Sequence, residues 1–176
     1  MKVCMASYGA VSILHGWPNT QIRNTARYLT DYGVDVQFFD SWSAFGKSDC
    51  DLFHVFAANV GTYHLAREIH ALGIPLIVSP IIYSLHSHSY IRSVLKATRV
   101  AQKFGKGIWT DYALTADICS WAQQVLPNTR AEAELLTHGL GISPEKIQVI
   151  PNGVDERFAA ADASLFKKTY GLENFI

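Results

Sequence analysis

Short apolar segments alternate along the chain with longer segments in which apolar residues recur every three or four positions. The short segments have the length and composition of buried strands. The predicted strands cover residues 3–6, 34–39, 51–56 and 75–78, with a further strand ending at 125–126 and a short buried one formed by Ile147, Val149 and Ile150. Such apolar strands are typical of a parallel sheet that is covered on both faces.

The longer segments predict helices. In the first of them Ile22 and Leu29 fall on one face, Asn19 or Thr20 can cap the start, and Gly33 ends the helix. The other predicted helices cover residues 62–72, 90–104, 130–138 and 164–170, with a single turn at 143–145. This alternation predicts an α/β protein with a doubly wound parallel sheet and helices on both faces.

In such a sheet, ligands bind beyond the carboxyl ends of the strands, where helix N-termini and loop backbone converge. The loops at that edge are 9–19, 41–46, 57–61, 79–89, 128–129 and 152–155. Taken singly, each of them is better explained as a solvated connection. Their convergence on one edge is what indicates a site.

Composition narrows the class of protein. The chain has 176 residues, of which 49% are hydrophobic, enough for one buried core and too few for two full domains. Fifteen basic and fifteen acidic residues cancel, which argues against a dedicated nucleic-acid binder. Three scattered cysteines form no Cys-x-x-Cys pair, which is typical of reduced thiols in a cytosolic protein and suggests neither a disulfide framework nor a zinc site. The apolar run 74–83 is interrupted by two prolines and is shorter than the roughly 20 residues of a membrane span.

The segment 126–158 combines a helix start with a strand that ends in a turn. Thr129 and Glu132 have the spacing of a capping box, in which side chains satisfy the backbone donors of a helix start. Gly139 provides a helix end. Pro151 cannot donate a ladder hydrogen bond, so the following residues 152–155 form a loop.

These residues carry a resemblance to a known family. Leu-Pro-Asn-Thr at 126–129 with Glu132, followed by Ile-x-Val-Ile-Pro-Asn-Gly-Val-Asp-x-x-Phe at 147–158, resembles the end of the N-terminal domain of GT-B glycosyltransferases, specifically the retaining family 4 type. The resemblance implies that residues 1–158 form a Rossmann-like acceptor-binding domain, the N-terminal half of a GT-B fold. Residues 159–176 would then be the linker into a C-terminal domain that binds the nucleotide sugar.

The resemblance also implies an activity. The complete enzyme would transfer a hexosyl group from a nucleotide-diphosphate sugar, with retention, to a glycan or lipid-linked acceptor in polysaccharide or glycolipid biosynthesis. The nucleotide sugar is a substrate, and we expect no cofactor and no metal in this domain. We expect a cytoplasmic location and no activity from the isolated fragment.

Candidate site residues follow from the same resemblance. It implies acceptor binding by Gly16, Trp17, Asn19, Tyr83 and His86, and cleft or hinge roles for Asn128, Thr129, Glu132, Asn152, Gly153 and Asp155. No catalytic residue is assigned.

The sequence departs from the family pattern in two loops. Gly16-Trp17 stands where many members have a Gly-Gly pair, and Pro80 or Ile81 takes the place of a histidine that often follows the fourth strand. His86 follows a few residues later, where it is either a ligand contact or a solvated loop residue.

Basic residues recur at intervals of three and four along the helix predicted for residues 90–104. They are Arg92, Lys96, Arg99, Lys103 and Lys106, and no acidic residue occurs between Glu68 and Asp111. This spacing places five unopposed charges on one face. The face is either solvated or binds an anionic acceptor or the inner face of a membrane through segment 90–106.

Two other classes compete with a glycosyltransferase. A dinucleotide-binding dehydrogenase is poorly supported because Gly9 stands alone after the first strand, without a Gly-x-Gly-x-x-Gly motif. A stand-alone, non-catalytic Rossmann-like or flavodoxin-like binding module remains the alternative.

Overall fold

A computed structural model describes residues 1–14, 16–105, 107–154 and 162–172. In these ranges five parallel strands form one sheet in the order β2-β1-β3-β4-β5. The strands are β1 (Lys2–Ala6), β2 (Asp35–Phe38), β3 (Leu52–Phe56), β4 (Leu76–Ser79) and β5 (Gln124–Val125). The predicted α/β class and the parallel sheet are confirmed.

Helices cover both faces of the sheet. They are α1 (Trp17–Asp31), α2 (Val60–Ala71), α3 (His88–Phe104), α4 (Asp111–Trp121), α5 (Arg130–Glu134) and α6 (Ser164–Tyr170), with 3-10 turns at Gly9–Ser12, Lys47–Asp49 and Pro144–Lys146. Alternate residues of β1 belong to different cores, since successive strand residues point to opposite faces. Val3 and Met5 pack with Ile22 of α1, whereas Cys4 and Ala6 belong to the larger core on the other face.

The first helix begins earlier than predicted. Gly16 occupies the N-cap position and α1 starts at Trp17, so Asn19 and Thr20 lie inside the helix and the prediction that one of them caps it is wrong. Pro18 explains the shift, because proline is already set to a helical φ and its missing N–H is not needed in the first turn. The predicted end is confirmed: Gly33 has a φ of 80° just after the helix.

Helix α4 has no counterpart among the predicted elements. Most of its residues are buried, including Ala113, Leu114, Ala116, Ile118 and Cys119. It packs against α2 and α3 as well as β4. These buried residues are spread around the helix, so no clear amphipathic pattern reveals it.

Helix α5 starts where the sequence predicts. Thr129 caps it, its Oγ1 accepting a hydrogen bond from the Glu132 N–H at 3.1 Å. The helix continues as a π-helical turn, Leu135–Gly139, so the predicted end at Gly139 is confirmed, but Gly139 itself does not adopt the left-handed conformation. The left-handed residue that follows is Gly141, with a φ of 74°.

Residues 147–150 are not the buried strand that the sequence predicts. Ile147 forms a single parallel bridge with Val125, and the N–H groups of Gln148 and Ile150 donate to the Val125 and Pro127 carbonyls at 3.0 and 2.9 Å. Ile150 is 45% exposed. Pro151 ends the segment after these two hydrogen bonds. Residues 147–150 therefore lie along the edge of the sheet without forming a further strand.

Segment 164–170 is helical as predicted and is followed by Gly171 in the left-handed conformation. The predicted domain boundary at residue 158 lies outside the described residues. Within the ranges that the structure describes, no helix is both long and apolar enough to cross a membrane.

Candidate functional site

The strand order creates a switch point between β1 and β3. The chain passes from β1 through α1 to β2 on one side, and from β3 through α2 to β4 on the other. Ligands bind at such points, beyond the carboxyl ends of the strands. Here the two loops touch: Ser7 Oγ donates to the Phe56 carbonyl at 2.8 Å, and a Cβ on Gly61 would lie 2.7 Å from Tyr8 Cβ.

Two non-glycine residues at this edge have a positive φ. Ala57, after β3, has a φ of 68°, and Ile81, after β4, has a φ of 52°. This conformation costs about 1–2 kcal/mol for an L-residue and is rare for a β-branched one. Hydrogen bonds hold Ala57 in place: its N–H donates to the Ser79 carbonyl at 2.9 Å, and its carbonyl accepts from Thr62 Oγ1 at 2.7 Å.

Glu132 joins the loops that follow β4 and β5. Its buried carboxylate accepts hydrogen bonds from the Ile82 N–H at 2.9 Å and from the Asn128 N–H at 2.7 Å. Burial raises the pKa of this carboxyl, and the backbone donors offset part of that effect. The capping-box spacing predicts a helix start here, whereas the contact with Ile82 is a tertiary one.

Asn128 connects the same edge to α1. Its buried side chain accepts a hydrogen bond through Oδ1 from Gln21 Nε2 at 2.9 Å. The loop after β5 is therefore fixed both to the Glu132 carboxylate and to α1.

Among the described residues, two cavities open at these loops, and a third runs along α1. The β1–β2 cavity, of about 400 Å³, lies beside the ends of β1 and β2 and is lined by Ser7, Tyr8, Ser12, Asn19, Arg23, Phe38 and neighbouring residues. Arg23 donates from Nε to Asn19 Oδ1 at 2.7 Å. A cation and several hydroxyl groups therefore meet apolar side chains in this cavity.

The β3–β4 cavity, of about 230 Å³, lies between the loops after β3 and β4 and the start of α4. It is lined by Ala58, Asn59, residues 80–84, Asp111, Tyr112, Thr115, Leu135 and Leu140. At its edge the Tyr112 hydroxyl lies 2.8 Å from Ser84 Oγ and 2.9 Å from His86 Nδ1, and the His86 ring stacks on Tyr90 at 4.5 Å.

The α1 groove, of about 530 Å³, separates α1 from residues 150–154. Trp17, Tyr28 and Tyr32 line one side, and Asn152 and Gly153 line the other. The Trp17 side chain is 57% exposed.

The predicted acceptor-binding residues do not share one cavity. Trp17 lines the α1 groove, Asn19 lines the β1–β2 cavity, and Tyr83 lines the β3–β4 cavity with His86 at its edge. Gly16 caps α1. Of the predicted cleft and hinge residues, Asn128, Thr129 and Glu132 form hydrogen bonds that fix the loops, Asn152 and Gly153 line the α1 groove, and Asp155 lies outside the described residues.

Sequence reasoning missed several residues that line the β3–β4 cavity, including Asn59, Asp111 and Tyr112. Asn59 caps α2, its Oδ1 accepting from the Gly61 N–H at 2.8 Å. Asp111 follows Thr110, whose side chain caps α4. The Thr-Asp pair is a helix-start signal that could have located both α4 and this cavity wall.

Some of the basic side chains on α3 have partners within the protein. Arg99 forms an ion pair with Asp117 of α4, and Arg92 Nη2 donates to the His138 carbonyl at 2.6 Å. Lys96 and Lys103 are exposed. The prediction of five unopposed charges is therefore wrong at Arg99, because the opposing acid is on a helix that the sequence did not reveal. Lys106 lies outside the described residues.

The buried His54 is not a candidate site residue. His54 of β3 lies 2.9 Å from Ser79 Oγ and stacks on Phe56, and burial lowers its pKa to about 3. Its ring is a neutral part of the core. Among the residues that the structure describes, no group of three or more His, Cys, Asp or Glu side chains is placed to hold a metal ion.

The fold defines a Rossmann-like α/β protein, with the β1–β2 and β3–β4 cavities at the carboxyl ends of a parallel sheet and a groove along α1. The model of Glycosyltransferase Family 4 matches residues 38–158, more than half of the chain. The chain therefore belongs to glycosyltransferase family 4. A search of curated proteins returned no match.

Proposed function

We propose that this chain forms the N-terminal, acceptor-side half of a GT-B enzyme that transfers a hexosyl group with retention. The donor is a nucleotide-diphosphate sugar, and the acceptor is a glycan or a lipid-linked glycan. The observation that carries the proposal is the match to family 4 over residues 38–158, which spans the loops after β2, β3, β4 and β5. All three cavities have walls in or beside these loops.

The proposed contribution of this half is to position the acceptor hydroxyl. Orientation of a reactant lowers the barrier by converting a bimolecular step into an effectively unimolecular one, provided that the surrounding groups are held still. Glu132 supports this role, because it fixes two of the loops through backbone hydrogen bonds at 2.9 and 2.7 Å. Stabilisation of the departing diphosphate would fall to the second domain.

The predicted site residues have separate roles in this proposal. Trp17 with Asn152 and Gly153 would form the wall of the α1 groove near the hinge, and Asn19 would contact ligand in the β1–β2 cavity. Tyr83 and His86 would contact the acceptor at the β3–β4 cavity. Their positions around one edge of the sheet support these assignments.

The experiment begins with the natural reading frame beyond Ile176. We expect it to encode a second domain of similar size. The full-length protein should transfer labelled sugar from one of a panel of nucleotide-diphosphate sugars to glycan or lipid-linked acceptors, and nuclear magnetic resonance of the product should show the anomeric configuration of the donor. Absence of transfer from every donor, together with a stop codon near residue 176, would favour the stand-alone binding module.

Trp17→Ala tests the α1 groove within that assay, with Trp42→Ala as its control. Both tryptophans are exposed, at 57% and 96%, and Trp42 lines none of the three cavities. We expect Trp17→Ala to lower kcat/KM for the acceptor about tenfold, which corresponds to roughly 1.4 kcal/mol. Equal activity of the two variants would remove Trp17 from the site.

We also propose that the exposed part of the α3 face contacts the inner, anionic leaflet of the membrane. Lys96 and Lys103 supply charge, and Phe104 and Trp109, which are 89% and 50% exposed, supply interfacial aromatic side chains. Each lysine near such a surface contributes about 1 kcal/mol, so Lys96→Gln with Lys103→Gln should weaken binding to phosphatidylserine vesicles roughly thirtyfold.

The control for the vesicle experiment is Lys167→Gln with Lys168→Gln on α6, which removes the same charge from another exposed helix. Equal losses in the two double variants would show a non-specific effect of net charge. That result would contradict a membrane contact through α3.

A further inference from the structure

We propose that the β3–β4 cavity is a subsite for a single, uncharged pyranose ring of the acceptor. The assignment of this ring to an acceptor rests on the proposed function. The location, size and chemistry of the subsite come from the cavity itself.

The volume of the cavity limits what it can hold. About 230 Å³ is below the range of roughly 300–1,000 Å³ that is usual for drug-sized ligands. A single sugar ring suits this space, whereas an oligosaccharide or a whole nucleotide sugar would extend beyond it. Further rings of a longer acceptor would extend past Tyr83, which is 84% exposed.

The walls offer the groups that a sugar ring needs. Asp111 supplies a carboxylate, which forms strong, charge-assisted hydrogen bonds with hydroxyl groups. Asn59 Oδ1 caps α2, and within the described ranges its Nδ2 donates to no protein group, so the amide can serve a ligand oxygen. Tyr83 adds an aromatic face against which the C–H face of a pyranose can pack.

The charge of the walls disfavours phosphate. Among the described residues that line the cavity, Asp111 is the one with a formal charge, and it is negative. A nucleotide diphosphate would be repelled there, whereas Arg23 in the β1–β2 cavity offers a cation. The two cavities therefore differ in the ligand charge that they favour: the β1–β2 cavity favours an anion, and the β3–β4 cavity does not.

Hydrogen bonds fix the backbone of the loops after β3 and β4 at this cavity. The Ala58 N–H donates to the Pro80 carbonyl at 2.8 Å, and the Ala58 carbonyl accepts from Thr115 Oγ1 at 2.8 Å. Ala58 directly follows Ala57 and Pro80 directly precedes Ile81, and both Ala57 and Ile81 have a positive φ. Strained backbone persists where its surroundings over-determine it, and a cavity fixed before binding loses less entropy when ligand enters.

Binding of uncharged methyl glycosides to this chain provides the first test. The probes are the methyl pyranosides of glucose, galactose, mannose and N-acetylglucosamine, measured by saturation-transfer nuclear magnetic resonance. We expect saturable binding of at least one probe, weakened at least about tenfold by Tyr83→Ala and by Asp111→Asn. Tyr170→Ala is the matched control, because Tyr170 is 65% exposed and lines none of the three cavities.

The inference would be overturned if no probe binds the wild-type chain, if the two cavity variants bind as the wild type does, or if Tyr170→Ala loses as much affinity as they do. Displacement of the bound glycoside by uridine or guanosine diphosphate would also overturn it, since it would assign the cavity to the donor. Thermal unfolding of each variant separates loss of binding from loss of folding.

Kinetics of the full-length enzyme distinguish this inference from the proposed function. We expect Tyr83→Ala to raise the KM for the acceptor and to leave the KM for the nucleotide sugar unchanged. Transfer with an unchanged acceptor KM would reject the subsite and leave the proposed function standing. Absence of transfer from the wild-type enzyme would reject the proposed function, while the glycoside measurement would still decide the subsite.

Discussion

The carboxylate of Glu132 fixes the loops after β4 and β5 through two backbone N–H groups. In Glu132→Gln the amide can accept one of these bonds, and its NH2 group faces the other donor. A buried donor left unsatisfied costs about 1–3 kcal/mol, and we expect a loss of that size in the free energy of unfolding measured with urea. Glu134→Gln on the exposed side of α5 is the control and should change little.

The pH dependence of the same variant has a definite sign. Burial raises the pKa of the Glu132 carboxyl in the folded chain. The resulting stabilisation is fully present below the unfolded pKa of about 4.3 and is lost as pH rises through the raised value. We therefore expect the stability difference between wild type and Glu132→Gln to shrink as pH rises through this window. A difference that grows would show that hydrogen bonding, not burial, dominates the pKa.

Ala57 and Ala58 allow a matched test of backbone strain. Both are buried, but only Ala57 has a positive φ. Replacement by glycine removes a methyl group and adds unfolded-state entropy at either position, while strain is relieved only at Ala57. We expect Ala57→Gly to be less destabilising than Ala58→Gly by about 1–2 kcal/mol in urea unfolding. Equal losses would show that Ala57 is not strained.

At the residue scale, local contacts could be predicted from the sequence and distant ones could not. The Thr129–Glu132 spacing identifies the start of α5, because capping depends on residues three positions apart. The bond from Glu132 to Ile82 joins residues 50 positions apart, and no local pattern indicates it. The same holds for Gln21 and Asn128.

At the element scale, the start of α2 packs directly on the loop after β1. A Cβ on Gly61 would lie 2.7 Å from Tyr8 Cβ. Overpacking of this kind costs about 1–3 kcal/mol, whereas the better helix propensity of alanine returns at most about 1 kcal/mol. We therefore expect Gly61→Ala to lower the melting temperature. Gly9→Ala is the control, since nothing lies within 4 Å of its added methyl group, and a similar loss there would contradict this explanation.

Predictions of the elements succeeded where a segment has two chemically different faces. Helix α3 shows this, because Ile91 and Thr98 are buried while Lys96 and Lys103 are exposed. Helix α4 was missed because its buried residues are spread around the helix, so its apolar residues follow no clear helical period. That omission also produced the error at Arg99, whose partner Asp117 lies on α4.

At the scale of the whole molecule, all three cysteines are free and buried. Burial raises the pKa of the Cys4 thiol to about 11 and also raises the pKa values of Cys50 and Cys119. The thiolate is the reactive form, so alkylation by iodoacetamide at about pH 8 should require opening of the fold. We expect mass spectrometry to show all three thiols labelled at once in guanidinium chloride and slowly without it. Rapid labelling of one thiol in the folded chain would indicate local opening around that strand or helix.

The sequence predicts the parallel sheet and the edge at which its loops converge, because both follow from the alternation of strands and helices. It does not predict how that edge is divided. Trp17, Asn19 and Tyr83 are all predicted to contact the acceptor, yet each lines a different cavity. The division depends on α4 and on residues 150–154, whose packing is set by tertiary contacts.

One carboxylate that holds two distant backbone amides has a further consequence. The Ile82 and Asn128 N–H groups are both protected by Glu132. Any motion that withdraws this side chain frees them together, so their deuterium uptake should report one shared opening of the two loops. Residues far apart in the chain would then behave, in hydrogen exchange, as a single cooperative unit at the carboxyl edge of the sheet.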